Sequence, residues 1–354
     1  MRNGTARRRL GMRSMAGLVA TVVALAACSP AASPSGPANG TPTAGAPSPS
    51  GSAPDLGEIV IGVGTDPSLA PWIVAVQQGF FEKHGLDAEL VPYANGPASV
   101  EALLSGQTDI GGAGELSSIG PAARGGDLAV VGTMWTSGVQ TGITAVEDIQ
   151  DPQDLEGRVV AIQEGGVSQY YFERYVEVHG LDRDSIEVKA IAQPDMVSAF
   201  ARGDMDAYFI TEPALTLGVE AREGAHILAR SEDDNVYVLH AYMIFAPDLY
   251  NDTPRAEAAV RAMLDAVEFI STNRDEAVTM TAEWTQLEEE QTRTIMDRID
   301  FNFQWTEDDA THIQSIASWM VENELIDSEP QWDKFVQLQF LKTVAPDKAP
   351  GEDL

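Results

Sequence analysis

The sequence predicts an α/β protein of two lobes with a helical C-terminal region. Short apolar strands alternate with helix-length segments twice, from about residue 58 and again from Arg158, and the pattern turns helical after about Asn251. Such alternation is typical of α/β sheets whose strands are buried on both faces. We therefore expect two sheets of parallel strands, one in each lobe.

The first set of elements begins with the apolar strand 59–63. Glycine follows each predicted helix, at His84-Gly85 and Ser105-Gly106, where a left-handed turn commonly ends a helix. The other elements predicted here are the helices 71–81 and 98–104 and the strands 88–92, 109–114 and 128–132.

A second set opens with another apolar strand, 158–162, and repeats the alternation before the chain turns helical. Its further elements are the strands 186–188 and 207–210 and the helices 168–179 and 196–201. The C-terminal helices are predicted at 255–273, 274–284, 288–298, 307–324 and 331–341.

Composition narrows the class of protein. The chain has 354 residues, 44% of them hydrophobic, which suffices for one large core or two smaller ones of about 100–150 residues each. With 54 acidic and 22 basic residues, the formal net charge is −32. Nucleic-acid binding needs clustered Lys and Arg, so no such partner is expected. An acidic surface favours a soluble monomer.

The N-terminus carries an export pattern. Five arginines precede an uncharged run at 16–27, which is too short for a membrane span and is typical of a signal peptide over 1–27. Leu25-Ala26-Ala27-Cys28 resembles the bacterial lipobox, in which the cysteine is lipidated. Cys28 is also the only cysteine, so no disulfide within the chain is expected. The Ser/Pro/Ala/Gly-rich stretch 28–56 is predicted to be a disordered tether.

Five local segments carry a family resemblance. They occur in the same order and at similar spacing as in the periplasmic solute-binding proteins of ABC importers, in the group that serves nitrate, sulfonates, taurine and thiamine precursors (NMT-type). The segments are 78–91 (QGFFEKHGLDAELV), 101–111 (EALLSGQTDIG), 154–161 (DLEGRVVA), 199–207 (AFARGDMDA) and 211–213 (TEP).

This resemblance implies a two-lobed periplasmic-binding-protein type II fold with a double crossover hinge, near 137–146 and 237–246. Lobe 1 would comprise 57–141 and 239–354, including the C-terminal helices, and lobe 2 would comprise 142–238. The implied function is capture of a small organic solute between the lobes and delivery to ABC permease subunits. The implied location is the extracytoplasmic face of the cell membrane, with Cys28 as the lipid anchor.

Two segments, one in each predicted lobe, share a helix followed by Gly and, three residues later, Asp. They place Gly106 before Asp109 and Gly203 before Asp206. Glycine adopts the left-handed turn that ends the helix, and a strand follows the aspartate. We interpret these residues as scaffold rather than as ligand contacts.

Ligand contacts are expected from loops after strands and from helix N-termini, where free backbone N–H groups face the cleft. Gly165-Gly166 with Ser168 is the strongest candidate for holding a polar head group, although a serine there also suits an ordinary helix N-cap. The predicted ligand-binding residues are Asp66, Gly114, Glu115, Trp135, Gly166, Ser168, Gln169, Asp195, Glu212 and Tyr242.

The predicted cleft loops contain carboxylates but no Lys or Arg. A bare anion would meet several carboxylates without a cationic partner, which disfavours nitrate and simple alkanesulfonates. An amine-bearing, zwitterionic or heteroaromatic solute fits better, and Trp135 and Tyr242 could stack on it. The alternatives are that Asp66 is a solvated loop residue, that Glu212 ties down its own turn, and that the aromatics belong to the core.

Two other functions remain open. One is an enzyme on the same fold, of the pyrimidine-precursor synthase or dehydratase type, and the other is a cell-surface solute sensor. The export signal argues against the enzyme. The five histidines are scattered and Cys28 is the single cysteine, so we expect no metal site, no cofactor and no catalytic residue.

Overall fold

The computed structural model describes residues 54–233, 236–350 and 354. The predicted signal peptide, Cys28 and nearly all of the predicted tether lie outside the described residues. Across the described ranges, each helix is too short or too polar to cross a membrane.

The described part of the chain alternates strands and helices and ends in a run of helices. Its strands are β1 (Gly57–Val63), β2 (Leu86–Pro92), β3 (Ile110–Gly114), β4 (Ala129–Ser137), β5 (Thr141–Ala145), β6 (Val159–Ile162), β7 (Glu187–Ala190), β8 (Ala207–Thr211), β9 (His226–Arg230), β10 (Leu239–Phe245) and β11 (Asp300–Gln304). Its α-helices are α1 (Ala70–Gln77), α2 (Phe80–Lys83), α3 (Gly96–Leu104), α4 (Glu115–Ala123), α5 (Val167–His179), α6 (Gln193–Arg202), α7 (Ala214–Ala221), α8 (Pro247–Tyr250), α9 (Thr253–Thr272), α10 (Arg274–Thr285), α11 (Glu289–Met296), α12 (Glu307–Glu322), α13 (Trp332–Phe335) and α14 (Gln339–Val344).

Two sheets form the centres of the two lobes. The first sheet has the strand order β11-β4-β10-β3-β1-β2, and the second has the order β7-β6-β8-β5-β9. In the first, β1 pairs in parallel with β2 and β3, while β10 runs antiparallel to β3 and β4. In the second, β6 pairs in parallel with β7 and β8, while β5 runs antiparallel to β8 and β9.

The chain crosses between the sheets twice, first from β4 to β5 and then from β9 to β10. Strands β1, β3, β6 and β8 end at the cleft between the lobes. Strands β5 and β10 each follow a crossing, so they begin at the cleft and run away from it. This direction makes the sheets mixed, whereas the alternation of strands and helices alone predicts parallel ones.

The central strands β1, β3 and β8 are buried as their apolar patterns predict, whereas the edge strands β2 and β7 are partly exposed. Alternate residues of β1, Ile59, Ile61 and Val63, are at most 1% exposed. Helix α9 packs against α1, α14 and β11 of the first lobe. Its buried face is rich in alanine, including Ala256 and Ala259, which allows close helix packing.

The repeated helix-Gly-Asp segments make the same contacts in both lobes. Gly106 and Gly203 adopt left-handed conformations, with φ of 72° and 83°. Asp109 and Asp206 each accept a hydrogen bond from a backbone N–H of the neighbouring strand, at 2.8 and 2.9 Å. The structure confirms that these four residues serve the scaffold.

Candidate functional site

A cavity of about 560 Å³ lies between the two sheets and is lined by residues of both lobes. The first lobe contributes the loop after β1, the end of β3 and the starts of α3 and α4. The second contributes the ends of β6 and β8 and the starts of α5, α6 and α7. Ligands bind preferentially at this position, beyond the carboxyl ends of parallel strands and between domains, in pockets of roughly 300–1,000 Å³.

Asp66 is the only ionisable side chain among the described residues that line the cavity. Its Oδ1 accepts hydrogen bonds from the Ser68 backbone N–H, at 2.9 Å, and from the Ser68 hydroxyl. Its Oδ2 lies 3.2 Å from the position of a Cβ atom built on Gly64, which also lines the cavity. Burial raises the pKa of the Asp66 carboxyl, although the bonds from Ser68 act in the opposite direction. A cation at Oδ2 would stabilise the ionised carboxylate.

The helix N-termini at the cavity carry partial positive charge, opposite in sign to the Asp66 carboxylate. Helices α3 to α7 all begin at the cavity. Gly114 precedes α4 and Gly166 precedes α5, both in extended conformations, and within the described residues no side chain caps either helix. The first N–H groups of an uncapped helix carry partial positive charge and favour anionic or hydrogen-bond-accepting groups.

Ser168 lines the cavity but its hydroxyl is already engaged. The hydroxyl donates to the Phe209 carbonyl at 2.6 Å and accepts from the Gln163 backbone N–H at 3.0 Å. These bonds join the end of β6 to β8 across the first turn of α5. Ser168 thus fixes the loop that presents Gly166 to the cavity.

The two aromatic candidates occupy different positions. Trp135 lines the cavity with 4% of its surface exposed, and its indole Nε1 has no hydrogen-bond partner among the described residues. Tyr242 does not line the cavity, because it is fully buried in β10 and packs against Trp305 with ring centroids 6.0 Å apart. Burial raises the pKa of Tyr242 well above its ordinary value.

Glu115 lies beneath the cavity rather than in its lining. It is 1% exposed and accepts hydrogen bonds from the Tyr237 hydroxyl at 2.6 Å and from the His240 backbone N–H at 2.7 Å. The His312 imidazole also contacts Glu115, with Nε2 2.7 Å from Oε1. Burial acts to raise the pKa of Glu115, but the interactions with His312, His240 and Tyr237 outweigh it and hold the pKa below its ordinary value. Glu115 joins α4 to α12 and to the second crossing.

Glu212 is likewise buried outside the cavity lining, and its charge is compensated. Its Oε1 accepts from Arg230 at 3.1 Å, from Arg298 at 3.0 Å and from the Thr216 hydroxyl at 3.0 Å. Its Oε2 accepts from the Thr216 backbone N–H at 3.1 Å. Glu212 therefore has two cationic partners that its local sequence does not reveal.

Gln169 and Asp195 also lie outside the cavity lining. Gln169 accepts a hydrogen bond from the Gly165 backbone N–H at 2.9 Å and faces a neighbouring groove. Asp195 is exposed in the first turn of α6. The structure thus brings Asp66, Gly114, Trp135, Gly166 and Ser168 to the cavity. It does not bring Glu115, Gln169, Asp195, Glu212 and Tyr242 there.

Four neutral amides line the cavity without having been singled out from the sequence. Asn95 begins α3, where its Oδ1 accepts from the Ala98 backbone N–H at 3.1 Å. Asparagine followed by Gly-Pro is a helix-start pattern and could have located this residue. Gln193 likewise precedes a proline, at the start of α6, whereas the sequence offers no comparable pattern for Gln140 and Gln163.

The described residues do not form a metal-binding site. Within 54–233, 236–350 and 354, no three His, Cys, Asp or Glu side chains are grouped as metal ligands would be. The stacked rings of His240 and His312 face carboxylates instead, at 3.0 Å to Asp309 and 2.7 Å to Glu115. These contacts are hydrogen bonds within the fold.

Comparison with known proteins gives a consistent picture. A 219-residue match to a Brucella abortus (strain 2308) protein named "Putative binding protein" is 26% identical and covers 61% of this chain and 67% of the relative. A Bacillus subtilis (strain 168) protein named "Putative aliphatic sulfonates-binding protein" is 28% identical over 226 residues, 62% of each chain. The structure of the alkanesulfonate-binding protein SsuA from Xanthomonas axonopodis pv. citri, bound to MOPS, aligns with a TM-score of 0.66 at 21% identity. It covers 78% of this chain and 96% of that one.

The structural likeness establishes the two-lobed periplasmic-binding-protein fold that the sequence motifs imply. The family model described as "NMT1/THI5 like" matches residues 66–277, which include both sheets' parallel strands from β2 to β8 and all of the cavity lining except Gly64 and Thr65. Because this match spans more than half of the chain, the protein belongs to the NMT1/THI5-like family.

Proposed function

We propose that the protein is the solute-binding component of an ABC importer of the sulfonate, taurine and nitrate type. The observation that carries this proposal is the cavity between the sheets, whose lining comes from both lobes. A solute held there would contact both lobes at once and favour their closed arrangement, because only that arrangement provides all its contacts. The relatives named as binding proteins support the same conclusion.

We further propose that the solute is zwitterionic, with an amine and an acidic or strongly accepting group. Asp66 provides a carboxylate in the cavity lining. The uncapped starts of α4 and α5 provide partial positive charge and free N–H groups. A bare anion would use the helix ends but would be repelled by Asp66, whereas a zwitterion satisfies both.

Binding rather than catalysis is favoured by the chemistry of the lining. General acid–base catalysis needs groups positioned to donate and accept protons, and nucleophilic catalysis needs an activated nucleophile with its base. The described lining offers Asp66 as its single ionisable group, with Ser68 as its hydrogen-bond donor. We therefore propose no reaction at this site.

We propose that the protein acts as a monomer at the extracytoplasmic face of the membrane, tethered by a lipid on Cys28, and docks there on permease subunits. The lipobox-like Leu25-Ala26-Ala27-Cys28 and the arginine-rich N-terminus support this location. A Cys28→Ser variant should move the protein from the membrane fraction to the soluble fraction. Retention of the variant at the membrane would contradict the anchor.

A thermal-shift measurement tests the solute class. The full chain would be titrated with 2-aminoethanesulfonate, ethanesulfonate and ethylamine, since a ligand held only by the native state raises the melting temperature. The largest shift is expected with the zwitterion, and Asp66→Asn should reduce it while the matched exposed variant Asp195→Asn leaves it unchanged. A larger shift with ethanesulfonate, undiminished by Asp66→Asn, would refute the zwitterion proposal.

A further inference from the structure

A second concave surface adjoins the cavity. This outer groove encloses about 800 Å³ and is lined by α3, α4, the end of α12 with the segment after it, and the loop after β6 with the start of α5. Pro97 and Ser117 line both the cavity and the outer groove. The two spaces are therefore adjacent at the first turns of α3 and α4, which contribute to both linings.

The first-lobe side of the outer groove is apolar. Its lining includes Val100 and Leu104 of α3, Leu116 of α4, Met320 of α12 and Leu325. Leu104 is 40% exposed, whereas Val100, Leu116 and Met320 are at most 4% exposed and form the floor. A single exposed leucine needs no explanation, but one that stands in a concave apolar surface beside a ligand cavity indicates binding.

The second lobe closes the other side of the outer groove through Glu164, Gly165 and Gln169. An occupant would thus contact both lobes, as a solute in the cavity does. The charged members of the described lining, Glu101, Arg124 and Glu164, are all exposed to solvent. A flexible apolar group could cover the floor and leave these charges hydrated, which avoids the cost of burying them.

We propose that the solute carries an apolar arm, which leaves the cavity between Pro97 and Ser117 and lies in the outer groove against Leu104 and Leu325. The inference rests on the proposed solute-binding function and adds the shape of the ligand: a polar zwitterionic head with an alkyl or aryl extension. The adjacency of the two spaces favours this occupant, because an arm on a head bound in the cavity has only to pass Pro97 and Ser117, which line both spaces, to reach the outer groove.

Homologous ligands test the arm. The full chain with Cys28→Ser, used so that no detergent competes, would be titrated calorimetrically with 2-aminoethanesulfonate and its N-butyl, N-hexyl and N-octyl derivatives, and with n-alkylamines of the same lengths. Affinity should rise about twofold to fourfold for each methylene that enters the outer groove. Leu104→Gln should lower the affinity of the octyl compounds at least threefold and leave the unsubstituted head unchanged.

Val178→Gln is the matched control, because Val178 is 43% exposed on α5 and lines neither space. It should change no affinity. If no member of either series binds, the proposed zwitterion site fails together with the arm. If the short members bind and chain length adds nothing, the arm alone is wrong. Dissociation of a ligand-free dimer by Leu104→Gln would assign the outer groove to a second copy and overturn the inference.

Discussion

The imidazole rings of His240 and His312 stack face to face, with centroids 3.9 Å apart and planes inclined by 19°. Each ring contacts a different buried carboxylate, His240 that of Asp309 and His312 that of Glu115. His240 is the second residue of β10, just after the second crossing, whereas His312 and Asp309 lie on α12. The pair therefore fastens the hinge side of the first sheet to a C-terminal helix.

Glu115→Gln is expected to destabilise the fold by about 2–4 kcal/mol at pH 7, since a neutral amide cannot replace the buried acceptor of three hydrogen bonds. The folded pKa of Glu115 is lowered, so its contribution is present above the unfolded pKa and is lost as pH falls through the folded pKa. Denaturant unfolding measured from pH 7 downwards should show that the difference in free energy of unfolding between wild type and variant becomes smaller. The exposed Glu89→Gln should match wild type throughout, and a gap that widened in acid would contradict this assignment.

Arg298→Gln should weaken the contact between the two lobes and allow them to separate further. Arg298 precedes β11 of the first sheet and its carbonyl accepts from Ser137, whereas Glu212 follows β8 of the second sheet, so their 3.0 Å contact joins the lobes. Glu212 retains Arg230 in the variant, which limits the expected loss to about 1–2 kcal/mol. Small-angle scattering of the ligand-free chain should show a larger radius of gyration.

The control for Arg298 is Arg202→Gln. Arg202 is exposed and pairs with Asp204 two residues away in the same lobe, so its loss should cost less than about 0.5 kcal/mol and leave the dimensions unchanged. Equal scattering curves for wild type and Arg298→Gln would show that the ion pair does not restrain the hinge.

The sequence predicts best what is encoded locally. The helix-Gly-Asp segments could be found because a left-handed glycine and an aspartate that binds the adjacent strand act within a few residues of the turn. The strands that follow the crossings, β5 and β10, were not among the predicted strands. Each of these strands runs away from the cleft because the chain has just crossed from the other lobe. The local sequence contains no pattern that indicates this direction.

In the cavity, too, the sequence predicts local features but not those that depend on remote contacts. The rule that ligand groups follow strand ends leads to Asp66, Gly114 and Gly166, which do line the cavity. It cannot say which loop side chains turn inward. The sequence predicts Glu115 and Glu212 as cleft carboxylates, and this prediction is wrong because the partners that bury them are remote in sequence. His312 is 197 residues from Glu115, and Arg298 is 86 residues from Glu212.

Two helical glycines provide a matched test of packing. A Cβ atom on Gly218 of α7 would lie 1.7 Å from the hydroxyl of Tyr208, which is fully buried and donates to the Ala214 carbonyl. On Gly120 of α4 its nearest neighbours would be the ends of two flexible side chains, the Arg124 guanidinium at 3.3 Å and the Met320 methyl at 3.6 Å. Gly218→Ala should therefore cost about 2–3 kcal/mol by overpacking.

Gly120→Ala should stay within about 1 kcal/mol of wild type, because alanine favours the helix and the arginine can move. Denaturant unfolding measures both variants. Adding Tyr208→Phe should recover part of the loss in Gly218→Ala, since the clashing oxygen is removed. Similar stabilities for the two alanine variants would rule out the clash as the dominant effect.

Binding of an amine-bearing solute should depend on pH through Asp66. Burial raises the pKa of Asp66 in the ligand-free protein, and a cation at Oδ2 favours the ionised form, so binding lowers this pKa and releases a proton. Affinity should therefore fall as pH is lowered through the raised pKa of the free protein and level off above it. Calorimetry in buffers of different ionisation enthalpy would measure the released proton. In Asp66→Asn the affinity should be at least tenfold lower at pH 7 and should lose this acid dependence; a variant that kept the wild-type pH profile would place the titrating group elsewhere.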